Sequence, residues 1–187
     1  MTVRLPVVRY HLATIESTNA YAAARIATFS TNSLTVVTAD EQTAGRGRLG
    51  RQWVSGAGLD IMATFAFRLP PSRVSCAYQL SPFLAVVVRR VLAAHGVSAD
   101  IKWPNDLLLS RCRKFGGILC ELESLAQSDY WAALGLGLNV NSIASSLGAG
   151  IPRPVWPLTT LLTETGRPWD VPLLTEDLIN GVAEVRG

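Results

Sequence analysis

Histidine and cysteine are scarce in this chain, and their placement narrows the chemistry open to it. The only histidines are His11 and His95, and neither stands in a recognisable nucleophile motif, which argues against Ser-His-Asp hydrolysis. Cys76, Cys112 and Cys120 are an odd number without CxxC spacing. They form no zinc cluster with the histidines and suit reduced, partly buried thiols in an intracellular compartment. Long apolar runs are missing too: the most apolar stretch, residues 83–88, is far too short to span a bilayer. No charged start followed by an apolar run marks a secretory signal. There is no internal repeat, low-complexity tract or dividing linker, no Walker A pattern and no GxGxxG opening a helix. The expectation is one domain over residues 1–187, cytoplasmic and away from membranes.

Charge is sparse as well. Seventeen basic residues against 14 acidic leave a net +3, too little for a broad nucleic-acid face. The arginines are unevenly placed, however: Arg46, Arg48 and Arg51 crowd one glycine-rich loop, as a local site for an anionic ligand would require.

What is plentiful is apolar sequence, 49% of the chain, enough to bury one substantial core. Ser17-Thr18-Asn19 ahead of an alanine-rich run through Ala27 reads as a polar cap and a helix. Residues 34–39 and 59–69 read as strands. Ser81 as cap, Pro82 in the first turn and Gly96 as stop bracket a second helix. Residues 100–109 read as a strand broken by Pro104, which favours an edge or a bend. Residues 115–123 and 130–140 resemble two antiparallel strands, residues 142–157 a mobile loop, and residues 172–185 a final helix. Strands joined by hairpins, with helices between and after them, imply an α+β fold: a mixed, mostly antiparallel sheet packed with helices.

Four clusters carry chemistry. In Gly45-Arg46-Gly47-Arg48-Leu49-Gly50-Arg51-Gln52-Trp53, glycines allow close backbone approach to a ligand and the guanidiniums can fork onto phosphate or carboxylate. A solvated Arg/Gly loop or a nonspecific RNA contact would look the same. Lys102-Trp103-Pro104-Asn105-Asp106 brings an ammonium, an amide and a carboxylate to one bend; Asp106 suits Mg²⁺ beside phosphates, or the segment is a polar turn. Lys114 before Gly116 and Gly117 sets a cation near bare backbone N–H groups, or is a surface lysine after a turn. Gly135 and Gly137, alternating before Asn139, leave a flat floor on which a ring could lie, or a weakened strand.

The order and wording of these clusters resemble the biotin–protein ligase family, within the biotinyl/lipoyl ligase superfamily, from about Tyr10 to Asn141. The resemblance implies a class II aminoacyl-tRNA synthetase-like catalytic fold. It implies ATP-dependent activation of biotin to biotinyl-5′-AMP with Mg²⁺, then transfer to a lysine of a biotin carboxyl carrier domain. By the same resemblance, Ser17, Thr18, Asn19 and Gln42 contact the ureido ring, although helix capping explains Ser17 and Thr18 equally. Gly45, Gly116, Gly117, Leu119, Gly135 and Gly137 shape the biotin pocket. Arg46, Arg48 and Arg51 hold the carboxylate and phosphate side, in a loop that orders when ligand binds, and Trp53 anchors its end. Lys114 stabilises charge as the carboxylate attacks the α-phosphate; Lys114, Arg48 and Arg46 are the candidate catalytic residues. Lys102, Asn105, Asp106 and Asn139 serve the nucleotide side, and Trp156 either stacks on adenine or packs in the core.

The sequence departs from the family pattern after Trp53, where it reads Ser55-Gly56 and then Asp60-Ile61-Met62. The resemblance further implies no N-terminal winged helix, hence no DNA partner, and no C-terminal β domain; a homodimer is open. The alternatives are a lipoate or octanoyl ligase and a noncatalytic biotin or nucleotide binder.

Overall fold

The computed structural model describes residues 2–110, 112–126, 129–143, 147 and 156–186. The chain runs β1 (Thr2–Arg4), β2 (Val7–Ile15), α1 (Thr18–Ala23), β3 (Leu34–Gln42), β4 (Ile61–Leu69), α2 (Leu80–Ala94), β5 (Asp100–Lys102), β6 (Asp106–Leu109), β7 (Arg113–Ala126) and β8 (Asp129–Leu138). It then continues through α3 (Leu161–Thr165), α4 (Val171–Ala183) and β9 (Glu184–Arg186). Seven strands form one sheet in the order β2-β3-β4-β8-β7-β6-β5. Only β2 and β3 pair in parallel, joined through α1; every other neighbour is antiparallel. β1 and β9 pair separately. The α+β expectation and the mixed, mostly antiparallel sheet both hold.

Strand alternation divides the core between the two faces. Val36, Phe65 and Ala132 point to one face, where they meet Leu84, Val88 and Leu92 of α2 and Leu174, Leu178 and Val182 of α4. Their chain neighbours Val37, Ala66 and Trp131 point the other way, against Ala22 of α1, Ile26 and Phe29. Burying each such large apolar side chain contributes roughly 1.5–3 kcal/mol. The helical stretch Pro71–Ala94 is apolar and long enough to cross a bilayer by composition. Leu84, Ala85, Val88 and Leu92 are nevertheless buried against the sheet, so the face they form serves as core.

Several elements differ from the expected bounds. β2 was not anticipated, because its Arg9, Tyr10 and His11 interrupt any apolar pattern; as an edge strand it tolerates them. α1 stops at Ala23, and a 3₁₀ turn over Ile26–Thr28 follows, where β-branched side chains weaken a helix. Ser81 does not cap α2. A 3₁₀ run over Pro71–Gln79 leads directly into the helix, so Ser81 lies inside the first turn. Gly96 ends that helix at φ +80°, as expected. Pro104, after a cis Trp103–Pro104 bond, sits in the turn between β5 and β6, with β5 at the sheet edge. Most of the loop expected over residues 142–157 lies outside the described residues.

Candidate active site

The face opposite α2 and α4 is covered by α1 only at one end, and beside α1 lies a cleft. Register decides what lines it. Met62 of β4, Gly137 of β8, Gly117 of β7 and Asp106 of β6 stand in one row across the sheet; Thr64, Gly135 and Leu119 form the next. A cleft of about 60 Å³, open to solvent, lies over Gly117, Leu119, Gly135 and Gly137 of these rows. Its lining includes Ser17, Thr18, Asn19 and Gln42 at one end and Arg48, Asn105 and Lys114 at the other.

The first end is a polar cradle. Ser17 caps α1, its Oγ accepting from Ala20 N at 3.5 Å. Thr18 donates from its N and Oγ1 to Gln42 Oε1 at 2.7 and 3.0 Å, fixing the end of β3 to the start of α1. Beneath them Thr64 Oγ1, fully buried, lies 2.6 Å from Asn19 Oδ1 and 2.9 Å from Thr18 Oγ1. Asn19 Nδ2 donates to Leu119 O at 3.2 Å and Glu121 Oε2 at 2.8 Å. The helix cap and the cleft lining are thus the same residues.

The glycine-rich loop folds as a narrow hairpin. Trp53 N donates to Gly45 O at 2.9 Å and Gly47 N to Arg51 O at 2.7 Å. A Cβ on Gly45 would lie 2.5 Å from Trp53 O, so the closure admits only glycine. Leu49 and Gly50 turn the tip at φ 59° and 72°. The Trp53 indole lies across β8, where a Cβ on Gly137 would fall 2.4 Å from it. The ring on the expected flat floor is thus the protein's own at Gly137, and at Gly135 the Asn19 amide fills the same role, 2.5 Å from a Cβ.

The cations are each held by an oxygen. Arg46 pairs with Glu121 at 3.0 Å, and Arg48 Nη1 donates to Asn105 Oδ1 at 2.8 Å. Lys114 Nζ lies 2.6 Å from Asp106 Oδ1, and Lys102 Nζ lies 3.8 Å from the other oxygen. Both oxygens of Asp106 therefore face ammonium groups. Among the described residues no cluster of three acidic, histidine or cysteine side chains could cage a metal; a Mg²⁺ ion carried on a nucleotide's phosphates needs only one or two carboxylates, and Asp106 is the one at this end.

Not every expected site residue reaches the cleft. Arg51 is exposed and does not line the cleft. Gly116 faces the helix-covered core, where a Cβ would strike Leu138 at 2.5 Å; neighbours in a strand cannot both face the cleft, so it is a packing glycine. Asn139 is buried behind β8, donating to Thr159 O at 3.2 Å. Trp156 packs beside Lys102, whose Nζ is 5.6 Å from its ring. Thr64, Glu121 and Asp60 were missed. Buried Asp60 accepts from Gly56 N and Val140 N at 2.8 and 2.7 Å and from Ser142, holding the chain after the arginine loop to the end of β8. A hydroxyl inside an otherwise apolar strand was the available signal for Thr64.

Residues 12–139 match the model of the biotin/lipoate A/B protein ligase family, and they include both ends of the cleft. The chain belongs to this family. Within the biotin/lipoate ligase family it is 42% identical over 108 residues to the bifunctional ligase/repressor BirA of Bacillus spizizenii, covering 57% of this chain and 33% of that protein. It is 38% identical over 163 residues to the biotin–[acetyl-CoA-carboxylase] ligase of Paracoccus denitrificans, covering 85% and 65%. Its structure is similar to that of the Aquifex aeolicus biotin protein ligase in complex with biotin and ATP. There the TM-score is 0.72 and the identity 27%, over 94% of this chain and 68% of that one. The chain thus spans from a third to just under two thirds of these curated relatives.

Proposed function

We propose that this chain is the catalytic domain of a biotin–protein ligase. It would activate biotin with ATP to biotinyl-5′-AMP and pass the acyl group to a lysine of a biotin carboxyl carrier domain. The observation that carries the reading is the arrangement of the cleft: a neutral cradle at Thr18 and Gln42 and two cations, Arg48 and Lys114, at opposite ends of a floor that includes Gly117, Gly135 and Gly137. A urea loses its hydration when buried and needs fixed donors and acceptors, which the cradle supplies. A carboxylate and a triphosphate repel each other, and cations held between them offset that repulsion.

In the first step an oxygen of the biotin carboxylate bonds to the α-phosphorus. The bond from that phosphorus to the bridging oxygen breaks, and pyrophosphate leaves with the electron pair. No protein nucleophile is required. Lys114 and Arg48 stabilise the charge that accumulates on the phosphoryl oxygens and help hold the two reactants together. In the second step the carrier lysine's amine attacks the acyl carbon, AMP leaves, and the amine gives up a proton. Mg²⁺ would enter bound to the triphosphate and neutralise part of its charge, while Asp106 orients Lys114. A cytoplasmic location is part of the same proposal.

Pyrophosphate release from Mg-ATP, measured with biotin, with lipoate and with neither, tests the proposal. Release is expected with biotin alone. Equal release with lipoate would overturn the substrate, and no release would overturn the activity.

A further inference from the structure

Glu121 lies on the cleft face of β7, opposite Ala133 and two residues beyond Leu119, where the strand passes from its buried to its exposed half. One of its oxygens, Oε2, receives both the Asn19 amide at 2.8 Å and the Arg46 guanidinium at 3.0 Å. A carboxylate only accepts hydrogen bonds, so Asn19 must turn Nδ2 toward Glu121 and Leu119 O. Its Oδ1 must then face Thr64, which donates to it at 2.6 Å. Thr64 Oγ1 also lies 2.9 Å from Thr18 Oγ1. Thr18 keeps its backbone N–H on Gln42 at 2.7 Å. Glu121 and the Leu119 carbonyl thus fix the sense of the Asn19 amide, and through it that of the Thr64 hydroxyl. The same oxygen holds the arginine loop, because Arg46 is its first guanidinium.

We infer that Glu121 is a positioning residue that couples the ureido cradle to the arginine loop through this shared oxygen. This deepens the biotin ligase reading and rests on it for the identity of the ligand. Neither partner is held in the same way without Glu121. Arg46, half exposed, would lose its ion pair. The Asn19 Nδ2 group would keep only its longer bond, 3.2 Å to Leu119 O.

Glu121→Gln tests this, since glutamine matches glutamate in shape and removes only the charge. Two measurements on the full chain are needed: biotin affinity by calorimetry, and the rate of trypsin cleavage after Arg48 and Arg51 in the free protein. Loss of a charge-assisted hydrogen bond predicts about tenfold weaker biotin binding and several-fold faster cleavage, with the melting temperature nearly unchanged. Arg46→Ala probes the same tether from its exposed side. It should speed cleavage equally, and adding Glu121→Gln to it should speed cleavage no further. Cleavage unchanged in Glu121→Gln, or accelerated again in the Arg46→Ala background, would overturn the coupling. If the wild-type chain binds no biotin, the ligand assignment fails, and the cleavage comparison alone still decides whether Glu121 tethers the loop.

Discussion

Lys114 and Asp106 share a 2.6 Å contact at the cleft end where phosphate would lie, and their side chains are mostly buried. A lysine held this way has few rotamers to lose when it meets an anion, which is how one ammonium can serve a transition state better than a ground state. Lys114→Ala should therefore slow pyrophosphate release by about a hundredfold or more while biotin affinity, measured by calorimetry, stays nearly unchanged. Asp106→Asn keeps the shape but weakens the hold, and about a tenfold loss in rate is expected. Equal loss of rate and affinity in Lys114→Ala would remove it from the chemistry. The cysteines give a second comparison at this scale. Burial, and then the neighbouring Glu121 charge, raises Cys120 from an ordinary 9.0 to about 11. At pH 8 that leaves roughly a hundredth of the usual thiolate, so iodoacetamide should modify exposed Cys112 long before Cys120. Mass spectrometry of the labelled peptides would show it.

Among the elements, β8 shows what glycines at alternate positions of a strand are for. A Cβ on Gly137 would meet the Trp53 indole at 2.4 Å, whereas one on Gly117 would meet Lys114 and Trp53 at 3.5–3.6 Å, ordinary contact distance. Gly137→Ala should push the indole and its loop off the sheet, weakening ligand binding by about tenfold or more at a stability cost of about 1–3 kcal/mol. Gly117→Ala should bind nearly as the wild type does. Calorimetry and melting curves on the two variants check this, and equal behaviour would mean that the indole does not rest there in solution. The sequence showed the importance of these glycines but not their occupants. Alternation marked Gly135 and Gly137 as sharing a face; only pairing of β4 with β8 reveals that Thr64 sits beside Gly135 and brings Asn19 over it. The apolar runs of β4, β7, β8 and α2 were legible because burial imposes their pattern. β2 was not, since an edge strand can carry Arg9 and His11 without cost. Gly116 was misread because a motif gives neighbouring residues one label, whereas a strand gives them opposite faces.

At the scale of the whole molecule, Glu164 ties together parts of the chain that local pattern could not connect. It accepts from Thr159 at 2.5 Å, from Arg113 at 3.1 Å and from Ser110, and so joins α3 to the turn between β6 and β7. Thr159 belongs to the segment running beside Lys114, with Lys114 N donating to Pro157 O at 2.8 Å and Thr159 N to Lys114 O at 2.9 Å. The backbone of the proposed catalytic lysine is thus braced from α3 through one carboxylate. Burial pushes Glu164 up, but the hydrogen bonds from Ser110, Thr159 and Arg113, with the Arg113 charge, outweigh it and hold the group below its ordinary 4.5. As pH falls, the unfolded chain takes up this proton before the folded one does. The stability Glu164 contributes is therefore complete above about pH 4.5 and is lost as pH falls through the lower folded value. Glu164→Gln should cost about 1–3 kcal/mol at neutral pH, and its melting temperature should fall less steeply than the wild type's between pH 5 and 3, so that the two curves converge in acid. Parallel curves over that range would mean that the carboxylate is not ionised in the brace, and Lys114 would then owe its position to the strand pairing alone.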